Sequence, residues 1–491
     1  MRSDFSRRMF LGSALAALAG PVLANAPQRS LRPVPRPPML GVPRVPAGEK
    51  LVADAGLDAR VTYAVANATT GQVLEGRDTR VGLPPASVAK SLTALYALDA
   101  LGPDHRFVTR LVATGPLTEG KLDGDLILVG GGDPTLDTDN LGTMAANLKA
   151  AGVREVTGRF LVWGGRLPFV PTIDTEQPDH VGYSPAVSGL NLNFNRVHFE
   201  WRRASGKWAV TMDARSARYR PDVAMARMRV ETRDLPVYTY ADRDGRDDWT
   251  VASGALGNGG ARWLPVRKPE VYAGEVFQTL ARANGIVLKT PEAISVLPQG
   301  TVLVTQESGD LRGILKDMLL YSTNLTAEVV GLSATVARGL HPQSLKDSAD
   351  AMNGWARDSL GLDSVALVDH SGLGGDSRIT AEDMVGALVK AHERAQLKPL
   401  LKSIPVPDGP KSLEVVAKTG TLNFVSGLAG FETCPDGTVL AFAIFAADVP
   451  RREKLSEAER ERPPGARSWN GRAKVLQRSL LERWSALYGM S

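Results

Sequence analysis

The chain has 491 residues, and at this length two or three domains are expected. Hydrophobic residues make up 43% of it, charged residues make up 23%, and the formal net charge is +5. These values exclude bulk disorder, a collagen-like repeat and a bundle of membrane spans. In the part expected to fold, basic residues do not run together with aromatic ones, so nucleic acid is not an expected partner.

The first 48 residues are predicted to be an export signal followed by a linker. Residues 1–26 have the organisation of a signal peptide, because arginines precede an apolar run over 9–23 and small residues follow at the spacing of a cleavage site. That run is shorter than the roughly 20 residues of a membrane span, so we expect no transmembrane anchor in the mature chain. Residues 6–11 resemble a twin-arginine export signal, which predicts a periplasmic protein. Residues 27–48 are rich in proline and are predicted to be an extended linker.

Residues 49–103 are predicted to form the first part of the main domain. Alternating apolar residues predict strands over 61–67 and 73–77, joined by a turn that contains glycine. Two prolines then end extended structure, and apolar residues at helical spacing predict an amphipathic helix over 87–101.

Residues 104–265 differ in character and are predicted to be a β-rich insertion of one or two small domains. A strand over 124–129 ends in three glycines, and strand-like segments separated by turn residues follow it. Short strands broken by turns at regular intervals are typical of β structure.

Residues 266–491 are predicted to complete the main domain. Strands from both ends of the chain then share one antiparallel sheet with helices on its faces, which is an α+β fold. The predicted helices cover 272–284, 311–320, 324–338, 345–360, 380–391 and 471–488, and the predicted strands cover 412–417, 427–432 and 439–446.

Ser87 and Lys90 stand at the start of the first predicted helix. Residues three apart lie on the same helix face, so the hydroxyl and the amine can meet. A serine hydroxyl becomes a good nucleophile only when a base takes its proton. A lysine can be that base if burial or nearby positive charge makes its neutral form accessible. Ser-x-x-Lys occurs once in the chain, but the motif is short enough to arise by chance.

Ser322 and Asn324 lie in a short connection between two predicted helices. A hydroxyl and an amide two residues apart can project together from such a connection, where Ser322 can relay a proton and Asn324 can hold the lysine or a substrate amide. Ser468-Trp469-Asn470 has the same pattern, but it comes later in the chain.

Lys418-Thr419-Gly420 is predicted to end the strand over 413–417. Lys418 and Gly420 share one face of a strand, so the lysine can offer positive charge to a carboxylate while the glycine leaves room for a ligand. The alternative interpretation is an ordinary turn at a strand end.

The order Ser-x-x-Lys, Ser-x-Asn, Lys-Thr-Gly resembles the serine penicillin-binding proteins and β-lactamases. Ser87 and Ser322 are 235 residues apart, and a large insertion at this place is similar to the DacB-type group of D-alanyl-D-alanine carboxypeptidases/endopeptidases, which are low-molecular-mass penicillin-binding proteins. The resemblance spans residues 50–490. His370 stands where that family often has glycine. Further segments that carry the resemblance are 85–87, 124–136, 189–195, 369–373 and 418–422.

The resemblance implies a β-lactamase/transpeptidase-like domain and a role for each motif. Ser87 would form the acyl-enzyme, Lys90 would accept its proton, and Ser322 and Asn324 would form the second catalytic motif. The substrates implied are peptidoglycan pentapeptides and cross-linked peptides, with β-lactam antibiotics as inhibitors. Both carboxypeptidase and endopeptidase activity are compatible with the sequence.

Substrate binding is implied for the third motif. Lys418 and Thr419 would bind the terminal carboxylate of the substrate, beside Gly420. The backbone N–H groups of Ser87 and Thr421 would form the oxyanion hole.

Two other functions stay open, namely a β-lactamase and a non-catalytic scaffold that binds peptidoglycan. No cofactor is expected. No metal is expected either, because the six histidines lack the spacing of a metal site and Cys434 is the only cysteine. A lone cysteine also excludes an internal disulfide.

Overall fold

The computed structural model describes residues 45–489, except residues 395, 408, 411 and 462 and the side chains of 457 and 458. The predicted signal peptide and all but the end of the predicted linker lie outside the described residues. Within them, no helix is both long enough and apolar enough to cross a membrane.

Strands occur in three blocks along the described chain, before, within and after the predicted insertion. They are β1 (Arg60–Asn67), β2 (Val73–Arg77), β3 (Val108–Ala113), β4 (Leu117–Thr118), β5 (Lys121–Leu122), β6 (Leu126–Val129), β7 (Glu155–Val156), β8 (Phe160–Trp163), β9 (Arg196–Ala204), β10 (Lys207–Asp213), β11 (Ala226–Glu231), β12 (Tyr238–Arg243), β13 (Arg246–Ala252), β14 (Gly259–Pro265), β15 (Pro291–Ala293), β16 (Thr301–Glu307), β17 (Lys402–Ser403), β18 (Glu414–Leu422), β19 (Val425–Thr433) and β20 (Val439–Ala447).

Helices dominate the chain between the insertion and the last strands. They are α1 (Gly48–Asp54), α2 (Lys90–Leu101), α3 (Thr138–Ala150), α4 (Pro269–Ala283), α5 (Leu311–Tyr321), α6 (Asn324–Ala337), α7 (Leu345–Leu360), α8 (Ala381–Glu393), α9 (Val449–Glu453), α10 (Glu457–Arg460) and α11 (Ala466–Tyr488).

The main domain is built on a six-stranded antiparallel sheet in the order β17-β18-β19-β20-β1-β2. Both ends of the chain contribute to it, since β1 pairs with β20 along its whole length. One face packs on α2 and α8, and the other face packs on α11. Because both faces are covered, β20 is apolar along its whole length rather than alternating with polar residues. The predicted α+β fold is confirmed.

The insertion has its own sheets and its own core. A mixed five-stranded sheet has the order β15-β8-β6-β3-β16, and three small sheets accompany it. β15 and β16 form the two edges of this sheet. α3 and α4 both pack into the hydrophobic core of the insertion. We therefore place the end of the insertion after Glu307, later than the predicted boundary between residues 265 and 266.

Most predicted elements of the main domain are found within a few residues of their predicted bounds. Thr380 caps α8 as expected, because its hydroxyl accepts the backbone N–H of Asp383 at 3.0 Å. One prediction about the third motif is wrong. The Lys-Thr-Gly motif lies inside β18, which continues to Leu422, and does not end the strand.

Candidate active site

Ser87 lies on a single 3₁₀ turn, Ala86–Ala89, that leads directly into α2. Ala86 has a φ of 47°, which non-glycine residues rarely adopt and which costs conformational energy. The turn brings the Ser87 and Lys90 side chains together, and Lys90 Nζ lies 3.0 Å from Ser87 Oγ. The sequence spacing predicted this meeting.

Lys90 is fully buried, and its Nζ has two further partners. It donates to Asn324 Oδ1 at 2.7 Å and to the carbonyl oxygen of Ser371 at 2.8 Å. Burial lowers the pKa of Lys90, while the carboxyl groups of Glu328 and Asp369 act in the opposite direction. The neutral amine is therefore far more accessible than that of a lysine in water.

Ser322 and Asn324 occupy the connection between α5 and α6, as predicted. Ser322 ends α5 in the left-handed region with a φ of 60°, and Asn324 is the first residue of α6. The Asn324 amide also donates through Nδ2 to the carbonyl oxygen of Tyr183 at 2.9 Å. Tyr183 lies in the loop between β8 and β9, so the insertion contacts the site directly.

Lys418 points from β18 towards Ser322. Its Nζ donates to Ser322 Oγ at 3.0 Å and to the carbonyl oxygen of Thr419 at 2.7 Å. Burial, together with the positive charges of Lys90 and Lys402, lowers the pKa of Lys418 to about 7. An anionic ligand beside this amine would favour its charged form.

The edge of β18 that carries the Lys-Thr-Gly motif and continues to Leu422 is open beyond β17. Among the described residues, β17 pairs only with Val416 and Ala417, whereas β19 pairs with the whole of β18 on the other side. The edge from Lys418 to Leu422 is therefore available to an extended peptide, which can add to it as a further strand.

A cavity of about 1050 Å³ opens beside the three motifs. Its lining includes Ser87, Ser322, Asn324, Thr421 and Tyr183. The last three helices add four basic residues, namely Arg452, Arg460, Arg467 and Lys474, and the acidic Glu461 also lines the cavity. The arrangement suits a polar substrate that carries negative charge.

Two residues that complete the site were not predicted from the sequence. Glu328 is fully buried one helical turn after Asn324, and the loop carrying Ser371 supplies a partner for Lys90. A glutamate in the apolar helix over 324–338 was the available signal for Glu328. In the sequence, the segment 369–373 is distinguished only by its resemblance to the family.

The remaining predicted residues meet at the same place. Gly420 faces the nucleophile, because a methyl group on its Cα would lie 2.5 Å from the carbonyl oxygen of Pro85 and 3.2 Å from the Ser87 nitrogen. In the described part of the chain, no group of three or more His, Cys, Asp or Glu side chains could hold a metal ion.

We expect Gly420→Ala to lower the rate of any reaction at Ser87 by about 10²-fold, because the added methyl group must push β18 away from the Ser87 turn. Gly354→Ala is the matched control. A methyl group at Gly354 meets nothing within 4 Å, so this variant should keep full activity. Equal rates for both variants in a single-turnover assay would contradict the close packing of β18 on Ser87.

Known carboxypeptidases are similar to this chain over most of its length. A model of the D-Ala-D-Ala carboxypeptidase 3 (S13) family matches residues 48–462. The D-alanyl-D-alanine carboxypeptidase of Actinomadura sp. (strain R39) is 29% identical, and the match covers 86% of each chain. Carboxypeptidase DacB of Mycolicibacterium smegmatis is 28% identical over 84% of this chain and 81% of that protein. The crystal structure of penicillin binding protein 4 from Haemophilus influenzae superposes with a TM-score of 0.71 at 20% identity, covering 88% of this chain and 99% of that one, and so has the same fold.

Proposed function

Because the chain belongs to the D-Ala-D-Ala carboxypeptidase 3 (S13) family and is a serine peptidase, we propose that it hydrolyses D-alanyl-D-alanine bonds of peptidoglycan through an acyl-enzyme on Ser87. The observation that carries this proposal is the 3.0 Å contact between Ser87 Oγ and Lys90 Nζ, with the lysine fully buried. A buried amine beside a serine hydroxyl is the arrangement that nucleophilic catalysis needs.

In the acylation step, neutral Lys90 takes the proton of Ser87 as its oxygen bonds to the carbonyl carbon of the penultimate D-alanine. The negative charge on the carbonyl oxygen is stabilised by the backbone N–H groups of Ser87 and Thr421. The bond to the leaving amine then breaks, and the proton that Lys90 took from Ser87 passes through Ser322 to that amine, which leaves Lys90 neutral again. Water later attacks the ester and gives a proton to Lys90, and this proton goes to the Ser87 oxygen as the shortened peptide is released.

Substrate binding follows from the charges and the open strand edge. Lys418 and Thr419 bind the terminal carboxylate of a pentapeptide, and the peptide extends along β18 beside Gly420. The cavity is large and open enough to take a cross-linked peptide as well, so we propose both carboxypeptidase and endopeptidase substrates.

β-Lactam antibiotics are the proposed inhibitors, because their strained amide can acylate the same serine. A second structure of penicillin binding protein 4 from Haemophilus influenzae, at a TM-score of 0.69, is a complex with a β-lactam. We also propose that residues 1–26 direct export through the twin-arginine route to the periplasm. Retention of an Arg7→Lys, Arg8→Lys double variant in the cytoplasm would support that route, and unchanged export would refute it.

The test of function is covalent labelling of the mature protein with a fluorescent penicillin, followed by peptide mass spectrometry. We expect a stable adduct on Ser87 that is absent from Ser87→Ala, and release of D-alanine from peptidoglycan pentapeptide by the unlabelled enzyme. Rapid release of hydrolysed drug would indicate a β-lactamase. A folded protein with neither adduct nor turnover would refute the proposal and favour a scaffold.

A further inference from the structure

The three partners of Lys90 Nζ are chemically unequal. Asn324 Oδ1 and the carbonyl oxygen of Ser371 can only accept hydrogen bonds, whereas the Ser87 hydroxyl can donate one. A neutral lysine amine has two N–H groups and one lone pair. When both N–H groups bind the two acceptors, the lone pair is left facing Ser87. The two acceptors therefore aim the base at the nucleophile.

Both acceptors are held by the same helix, α6. Asn324 is its first residue, and Glu328 follows four residues later on the same face. Glu328 is fully buried, and its carboxylate accepts the backbone N–H of Ser371 at 2.8 Å and that of His370 at 3.0 Å. The glutamate thus fixes the two peptide units that directly precede the Ser371 carbonyl group.

The remainder of this loop is held by a second buried carboxylate. Asp369 accepts the backbone N–H groups of Gly372 and Gly374, each at 2.6 Å. The loop packs tightly on the nucleophile turn, since Gly372 has a φ of 72° and leaves no space for a methyl group against the carbonyl oxygen of Ala86. The Ser371 carbonyl therefore has little freedom once Glu328 and Asp369 are bound to the loop.

We propose that Glu328 is the positioning residue of the acylation step, holding the Ser371 carbonyl so that Lys90 is aimed at Ser87, and that its carboxylate stabilises the Lys90 ammonium formed when the proton is transferred. This proposal rests on the proposed function of Ser87. It assigns no contact between Glu328 and the substrate.

The charges around Lys90 come from several elements. Glu328 faces it from α6 and Asp369 from the loop after α7, while the positive charge of Lys418 faces it from β18. His370 contributes no charge near neutral pH, because complete burial lowers its pKa to about 3. Burial and the charge of Asp369 raise the pKa of Glu328, while its hydrogen bonds to the Ser371 loop and the charge of Lys90 counteract this. Proton transfer to Lys90 creates a buried cation, and an ionised Glu328 is a suitable partner for it.

The test compares the pH dependence of acylation by a fluorescent penicillin in Glu328→Gln, Glu328→Asp and the unaltered protein. In the unaltered protein the rate should rise with pH, because only neutral Lys90 is a base. Glu328→Gln removes the charge that raises the pKa of Lys90, so the midpoint of this rise should move down by about one pH unit. Its maximal rate should fall by about 10²-fold, because one backbone N–H loses its acceptor.

Glu328→Asp separates the effect of Glu328 on the position of Lys90 from the effect of its charge on the pKa of Lys90. Aspartate keeps the charge but is one methylene shorter, so the maximal rate should fall while the midpoint stays in place. The matched control is Glu432→Gln. Glu432 is also fully buried, on the sheet face that packs against α11, and among the described residues its carboxyl oxygens have no hydrogen-bond partner. This control should keep both the midpoint and the maximal rate.

Unchanged maximal rates in Glu328→Gln and Glu328→Asp would overturn the proposal, as would rates that fall equally in the Glu432→Gln control. If Glu328→Gln does not fold, Glu328→Asp decides, because an unaltered maximal rate there excludes positioning. Failure of the unaltered protein to label at Ser87 would instead refute the proposed function. The two failures are therefore distinguishable.

Discussion

Lys90→Met should reduce acylation of Ser87 by penicillin about 10²- to 10⁴-fold, the range expected when a general base is lost. Methionine occupies a similar volume, so the buried site stays filled, but its thioether cannot take the serine proton at neutral pH. The variant also leaves Asn324 Oδ1 and the Ser371 carbonyl without their donor. Stopped-flow measurement with a fluorescent penicillin would give the acylation rate constant directly.

The control for this variant is Lys316→Met, which changes an exposed lysine on α5. It should acylate at the rate of the unaltered protein. If Lys90→Met retained more than about a tenth of the normal rate while folded, Lys90 could not be the general base. Ser322 or water would then have to accept the proton.

The first motif was predictable because its geometry is local. Ser87 and Lys90 are three residues apart, and one helical turn suffices to bring them together. Asn324 and Lys418 could be predicted only as parts of short motifs. Their positions beside Ser87 and Lys90 depend on how α6 and β18 pack around α2. The number of residues between the motifs does not reveal this long-range packing. The order of the three motifs along the chain indicated it only through the resemblance to a known family.

Two features could not be read from local sequence at all. The Asn324 amide contacts a backbone carbonyl of Tyr183, and since every residue has a carbonyl, no side chain marks this contact. Glu328 acts on backbone N–H groups more than 40 residues away in sequence. A glutamate within an apolar helix is visible in the sequence, but only the structure shows which groups it contacts.

The wrong strand end and the shifted insertion boundary have related physical causes. Thr419 and Gly420 look like a turn because glycine is disfavoured in strands, but β19 pairs with β18 as far as Leu422 and keeps it extended. The amphipathic pattern of α4 shows that one face is buried, yet it does not say against which sheet. In the structure that face packs on the core of the insertion.

His370 should make the protein sensitive to acid. Complete burial lowers its pKa from 6.5 to about 3, so the folded state disfavours the protonated ring. Above pH 6.5 the ring is neutral in both the folded and the unfolded state and has no effect on the pH dependence. As the pH falls below 6.5 the unfolded state takes up the proton first, and stability is lost until about pH 3. At pH 4.5 the loss should reach about 3 kcal/mol.

The measurement is the free energy of unfolding in urea between pH 7 and pH 4.5, for the unaltered protein and for His370→Gln. Glutamine does not titrate and is long enough to replace the contact of His370 Nε2 with Ser348 Oγ at 2.7 Å. Burial raises the pKa of Glu432, so this group, like Glu328, favours the folded state as the pH falls, and the total curve mixes opposite signs. These contributions are common to both proteins and cancel in the difference. That difference should shift by about 3 kcal/mol against the unaltered protein between pH 7 and pH 4.5. A constant difference would instead show that the ring has the same pKa in the folded and the unfolded state.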